Sequence, residues 1–256
     1  MSTDDARSHP TLLGETMSAS TTTARGGSHR AVRAFEQYVT AERSVPGCTA
    51  FFLESAVHLD EVRALAERND VIFVPAGYSP KVDPRIVSFA GALHAPGDEM
   101  SFGGPHTFRL QDYLAGRFRF RDGLTVVRQR SAEGLAAFLR DADDARSTGT
   151  FADRLLDGAL LLDSAASFTR AYPVPDSLVR VHVTADGEYR DGPDGLLLGR
   201  VGDGRVDIEV VAAESAGRGR AFARIIDPRM LEADLDDRPW IELYAALVSA
   251  GRRDHV

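Results

Sequence analysis

The sequence predicts an α+β protein with mixed, short-stranded sheets and helices. Short β-branched and aromatic runs recur between Gly, Pro and Asp-Gly turn signals. Separate stretches carry apolar residues at helical spacing. The chain has 256 residues with 43% apolar side chains, enough to bury a core in one large domain or two smaller ones.

Residues 1–28 are rich in Ser, Thr, Gly and Asp and predict a disordered N-terminal tail, because little apolar surface offsets the entropy of ordering. An α+β domain is expected over 29–172, and a smaller unit of β-hairpins and a C-terminal helix over 173–256. Val32, Phe35 and Val39 suggest a short amphipathic helix over 31–42, stopped by Pro46 and Gly47. Then come a strand at 48–54 (CTAFFLE), a helix at 55–69 with Ser55 as N-cap, and a strand at 71–75 (VIFVP). A turn leads to a strand at 85–94, a loop over 95–106, and three short strands whose last turn is Asp122-Gly123.

The middle reads as helical. Ser131 and Glu133 make an imperfect capping box, and Gly149 ends the helix. A second apolar segment (FADRLLDGALLLDSAASF) follows, and Pro173 and Pro175 mark a boundary. Strands are then expected for LVRVHVTA, EYRDG, LLLGRVG and RVDIEVVA, punctuated by Asp-Gly steps at 186, 191, 194 and 203. Two helices close the chain; Trp240, Leu243, Tyr244 and Leu247 are expected to share a face of the last one.

Charge and composition narrow the function. A net charge of −8 and a pI near 5.4 argue against general affinity for nucleic acid or anionic lipid. Lys81 is the single lysine, so a Schiff base or a phosphate-cradling lysine has one candidate. Cys48 is the single cysteine, which excludes an intramolecular disulfide and a thiolate metal cluster, and it reads as a buried, inert thiol. No apolar run reaches the roughly 18–20 residues of a bilayer span. The N-terminus lacks the layout of a signal peptide, which predicts a cytoplasmic protein.

No convincing catalytic constellation emerges. None of the seven histidines stands three or four from another, so no helix-face ligand pair exists and no metal is expected. His94 and His106 bracket a loop with Asp98 and Glu99, which reads as polar surface rather than a metal site. The Asp-Gly stretch at 186–204 lacks the ligand order of an EF-hand, and no phosphate-loop or GxSxG motif occurs, so no cofactor is expected. A catalytic site built from residues distant in sequence stays open.

The alternation Arg117, Phe118, Arg119, Phe120, Arg121 puts Phe on one face of a strand and Arg on the other. That is a half-buried strand with a solvated Arg row, or a basic face for an acidic peptide or phosphate, and Arg128 and Arg130 extend it. The segment FVPAGYSPKVDPRIVSFAGALHAPGDEMSFGG, with TFRLQDY and FLRDADDARSTGTFADRLLDGALLLD, resembles a small family of actinobacterial proteins. These accompany ribosomally synthesised, post-translationally modified peptides of the daptide class, and the likeness covers residues 45–250. The family is described as the peptide-recognition component of its pathway. The resemblance implies a winged-helix-like module that docks a leader peptide as an added strand on an open sheet edge. It also implies the precursor peptide and the modifying enzymes as partners, and no catalytic residues. The expected docking strands are Arg85, Ile86, Val87, Ser88 and Phe89, or the strip of Arg117, Arg119 and Arg121. The alternatives are a tailoring enzyme of a specialised pathway and a structural protein-interaction subunit.

Overall fold

A computed structural model of the chain describes residues 19–77, 83–104, 106–115, 123–152, 155, 160–170, 178–215 and 217–250, with backbone alone for 19–28 and 249–250. Its helices are α1 (Ala19–Thr40), α2 (Leu59–Leu65), α3 (Ala132–Thr148), α4 (Arg205–Glu214), α5 (Pro228–Asp236) and α6 (Ile241–Ala250). Its strands are β1 (Ala50–Leu53), β2 (Val71–Pro75), β3 (Ile86–Gly91), β4 (Glu99–Phe102), β5 (His106–Asp112), β6 (Leu124–Arg128), β7 (Leu160–Leu162), β8 (Arg180–Val183), β9 (Glu188–Arg190) and β10 (Leu197–Arg200). The α+β class holds, with all ten described strands in one mixed sheet of order β10-β9-β8-β1-β2-β3-β4-β5-β6-β7. The expected boundary at 172/173 falls in a segment outside the described residues, and β8 beyond it pairs in parallel with β1.

The sheet curls around α1. Alternation along each strand separates two faces. Ala50, Phe52, Val71, Phe73, Phe89, Met100, Phe102, Phe108, Val126 and Leu161 face inward and pack with Ala34, Phe35, Tyr38 and Val39 of α1. Phe35 is the hub: its ring centroid lies 4.3 Å from that of Phe108, 5.4 Å from Phe102, 5.5 Å from Phe73 and 6.4 Å from Phe52. Aromatic pairs at these separations add to the area they bury. Phe51, Leu53, Ile72, Val74, Val181 and Val183 point outward, under α2 and α4. The outer face of the other half carries α3, α5 and α6, through Val127, Leu160 and Leu162.

The two halves meet at β3. Its first residues pair in parallel with β2, from Ile86 opposite Ile72 to Phe89 opposite Pro75. Its last two, Ala90 and Gly91, pair antiparallel with Ser101 and Met100 of β4. Gly91 sits at φ +86, and a Cβ there would lie 2.0 Å from the Glu99 carbonyl oxygen, so the joint takes only glycine.

Several expectations change. RVDIEVVA is the helix α4 rather than a strand: Asp207 accepts from the Gly204 N–H at the helix start, and Ile208 and Ala212 bury one face while Val206 and Val210 stay exposed. Its β-branched residues imitate a strand, but the cap and the four-residue spacing decide. The expected loop over 95–106 contains β4, whose Met100 and Phe102 are buried in the inner core. The apolar segment after α3 contributes the strand β7, which completes the parallel ladder beside β6. Helix α1 starts at Ala19, inside the expected tail. Helix α6 buries Ile241, Tyr244, Ala245 and Val248 and leaves Leu243 and Leu247 exposed. Helix α3 follows its sequence signals, with Ser131 Oγ accepting from the Gly134 N–H and Gly149 as a left-handed C-cap.

Phe35→Ala removes the hub and opens a cavity between helix and sheet. The expected cost is about 3–5 kcal/mol, read as a lower urea midpoint at nearly unchanged slope.

Candidate functional site

The expected docking strip of Arg117, Arg119 and Arg121 lies outside the described residues, as does Lys81. The other candidates are on or next to β3, and their side chains are already occupied. Arg85 is held by the Asp83 carboxylate at 2.9 Å and by the Ala66 carbonyl at 2.6 Å, which ties β3 to the end of α2. That pairing holds the Asp83 carboxyl well below the usual carboxylate range. Ile86 packs in the outer core, Val87 and Phe89 in the inner one, and Ser88 is exposed.

The backbone of β3 is another matter. Ile72 donates to the Arg85 carbonyl and Ala76 to the Phe89 carbonyl, so residues 85, 87 and 89 turn their peptide groups toward β2. Ile86 and Ser88 turn theirs the other way, and of these the Ile86 N–H is taken by the Asp83 carbonyl at 3.1 Å. The β4 ladder reaches only Ala90 and Gly91, so among the described residues no strand covers the edge at Ile86 and Ser88. The terminal strand β10 is less open: Asp203 Oδ2 accepts from the Arg200 N–H at 2.7 Å, and the Leu196 N–H just before the strand donates to the Arg220 carbonyl at 2.8 Å. Such plugging blunts an edge strand.

A second feature combines residues far apart in sequence. Arg180 and His182 of β8 point to the inner face, opposite Ala50 and Phe52 of β1. His182 is buried between the Tyr38 hydroxyl, 2.8 Å from Nδ1, and the Glu54 carboxylate, 2.9 Å from Nε2. The two partners define a neutral imidazole that donates from Nε2 to Glu54 and accepts at Nδ1 from Tyr38. The hydrogen bond from His182 holds the Glu54 carboxyl down to about 2. Burial lowers the pKa of His182, opposed by Glu54, and burial also raises that of Tyr38. His94 reaches the same carboxylate at 3.7 Å from the solvent side.

Behind this relay lies a buried ion-pair chain. Arg128 pairs with Asp163 at 2.5 Å, Asp163 with Arg180 at 3.5 Å, Arg180 with Asp191 at 3.3 Å, and Asp191 with Arg220 at 2.7 Å. Arg128 was expected to extend a solvated basic strip; instead it points inward, because Asp163 at the end of β7 compensates its charge. Beside it, Gln129 is buried with neither amide atom hydrogen-bonded. It lines a cavity of about 10 Å³ with Arg128, Asp163, Ser164 and Asp194, the room of one water-sized sphere. Burial raises the pKa of Asp194.

The third feature is a cleft of about 370 Å³ between α2 and the turn leading into α4, lined by Glu61, Leu65, Tyr189, Asp203 and Arg205, among others. Cys48 is buried, with its thiol pushed up to about 11 by burial, as expected of an inert cysteine. Among the described residues no three His, Cys, Asp or Glu side chains converge on a metal position, and no helix is long and apolar enough to cross a membrane.

Sequence reasoning missed the relay and the ion-pair chain. Their one signal is the LVRVHV run, in which Arg180 and His182 alternate with apolar residues and so share a face. No known protein family, no curated protein and no solved structure matches the chain.

The relay predicts acid sensitivity. His182 is less basic folded than unfolded, so its contribution is complete above about pH 6.5 and is lost as pH falls below that value. Glu54 is the more acidic when folded, so its contribution is lost from about pH 4.5 toward pH 2. Urea midpoints should therefore decline below pH 6.5 in two stages, and His182→Gln should flatten the upper one. An upper stage unchanged in that variant removes His182 from the account.

Proposed function

We propose that the protein is a non-catalytic recognition protein that binds the leader of a ribosomally synthesised precursor peptide and presents it to modifying enzymes in the cytoplasm. The observation that carries this reading is the uncovered backbone at Ile86 and Ser88. The Ile86 N–H is taken by the Asp83 carbonyl at 3.1 Å, which leaves the Ser88 N–H and the Ile86 and Ser88 carbonyls for an extended peptide to pair with when it adds to the sheet. The stretch coincides with the segment through which the sequence resembles daptide-type recognition proteins. Winged-helix likeness belongs to the same proposal: residues 178–250 run β8, β9, β10, then α4, α5 and α6, a strand hairpin beside a helical unit.

One observation favours a second reading, a tailoring enzyme. The Tyr38, His182 and Glu54 chain sits at the ends of parallel strands β1 and β8, where open α/β sheets place their sites. Both imidazole nitrogens of His182 are already engaged, so a base at this position must first exchange a partner.

The readings separate in one titration. Fluorescence polarisation of a labelled leader peptide, encoded next to this chain, should saturate at micromolar concentration or below without any change in peptide mass. Ser88→Pro deletes an outward N–H and leaves the β2 ladder intact; it should weaken binding about tenfold or more with an unchanged circular dichroism spectrum. Absence of saturable binding by the unaltered protein rejects peptide recognition. A mass change on incubation favours the enzyme.

A further inference from the structure

We propose that the cleft between α2 and the turn before α4 is a cation-accepting subsite that receives a basic side chain of a peptide, arginine or lysine. The identification of its source as a peptide rests on the recognition reading; the cation chemistry does not.

The floor is Tyr189 of β9. Its ring is 1% exposed, yet it lines the cleft, and its hydroxyl has no hydrogen-bond partner among the described residues. A phenol so enclosed normally finds a partner, so this one is positioned for a group that enters. The walls are acidic. Glu61 on the exposed side of α2 makes no hydrogen bond or ion pair among the described residues. Asp203 stands across the cleft, anchored through one carboxylate oxygen by the Arg200 N–H at 2.7 Å. Both charges reach the phenol: burial first, then Glu61 and Asp203, push the Tyr189 hydroxyl up to about 12. Leu65 and Ala64 supply an apolar side for the stem of a long side chain.

Two positive features lie close and both are already neutralised. Arg205 borders the cleft but is bound by Asp70 at 2.5 Å, Glu209 at 2.8 Å and Glu67 at 3.5 Å. The N-terminus of α4 is capped by Asp207, which accepts from the Gly204 N–H at 3.0 Å. What remains for a visitor is two carboxylates and a phenol oxygen, acceptors that suit an ammonium or guanidinium. The cleft's volume lies at the low end of small-molecule sites, ample for one side chain.

The test uses the full chain and isothermal titration at low salt, with N-acetyl-arginine amide as the peptide-like probe, putrescine as a free diamine and N-acetyl-glutamate amide as the anionic control. The expected result is saturable binding of the blocked arginine, weakened by added salt as for partly exposed charges. Glu61→Gln should weaken it about tenfold and Tyr189→Phe about threefold, both with unchanged urea midpoints within the spread of surface substitutions. Ser88→Pro should leave it unaltered, so loss of leader binding at β3 and loss of this subsite are separate outcomes. The proposal is overturned by no saturable binding, by equal affinity of Glu61→Gln, by preference for the glutamate probe, or by putrescine binding without blocked arginine.

Discussion

Arg180 is the constraint on which the curled sheet depends. It is among the largest fully buried side chains, and its own strand lies near one end of the sheet. Its guanidinium reaches the Tyr38 and Val39 carbonyls at the end of α1, each at 3.0 Å, Ser164 Oγ at 2.8 Å just past β7, and the Asp163 and Asp191 carboxylates. One side chain thus ties the inner helix to the strand at the sheet's opposite end. A buried guanidinium is tolerable only when its donors are met, and here carbonyls, a hydroxyl and two carboxylates meet them. Room for the fork depends on Gly192, where a Cβ would stand 2.7 Å from the guanidinium carbon. Such a chain of charges gains little over apolar packing of similar size, but losing one member leaves the others buried and unpaired.

That geometry explains the placement of the polar relay. Arg180 and His182 follow one another on the same face of β8, so fixing the first orients the second against Glu54 and Tyr38. The Phe35 cluster fills the rest of the interior, and the polar groups gather where the curl closes. Outside, the two helical coats leave the surface differently equipped: α2 and α4 flank an acidic cleft, whereas β3 at the joint exposes main chain.

Local physics was legible in the sequence. The runs of β1 and β2 and the capped ends of α3 announce themselves within a few residues. The α4 segment misleads because Val206, Ile208, Val210 and Val211 carry strand propensity, while the signal that overrides it is one aspartate three residues past a glycine. Strand β7 misleads in the opposite sense, since Leu160, Leu161 and Leu162 suit a buried helix as well as a doubly covered strand. The relay could not be read at all: Glu54 and His182 are 128 positions apart, and Tyr38 and His182 are 144 apart. Their meeting follows from parallel pairing of β1 with β8, which no short window encodes.

The inner position of α1 has a consequence for synthesis. Gln37 donates to the Val179 carbonyl across 142 positions, so the helix made first is enclosed by strands made much later. At bacterial and eukaryotic elongation rates that interval is roughly 7–28 s. Throughout it, Phe35, Tyr38 and Val39 have no completed interior to enter. A nascent chain of this design carries the apolar face of its innermost helix uncovered until the last strands of the sheet have been made.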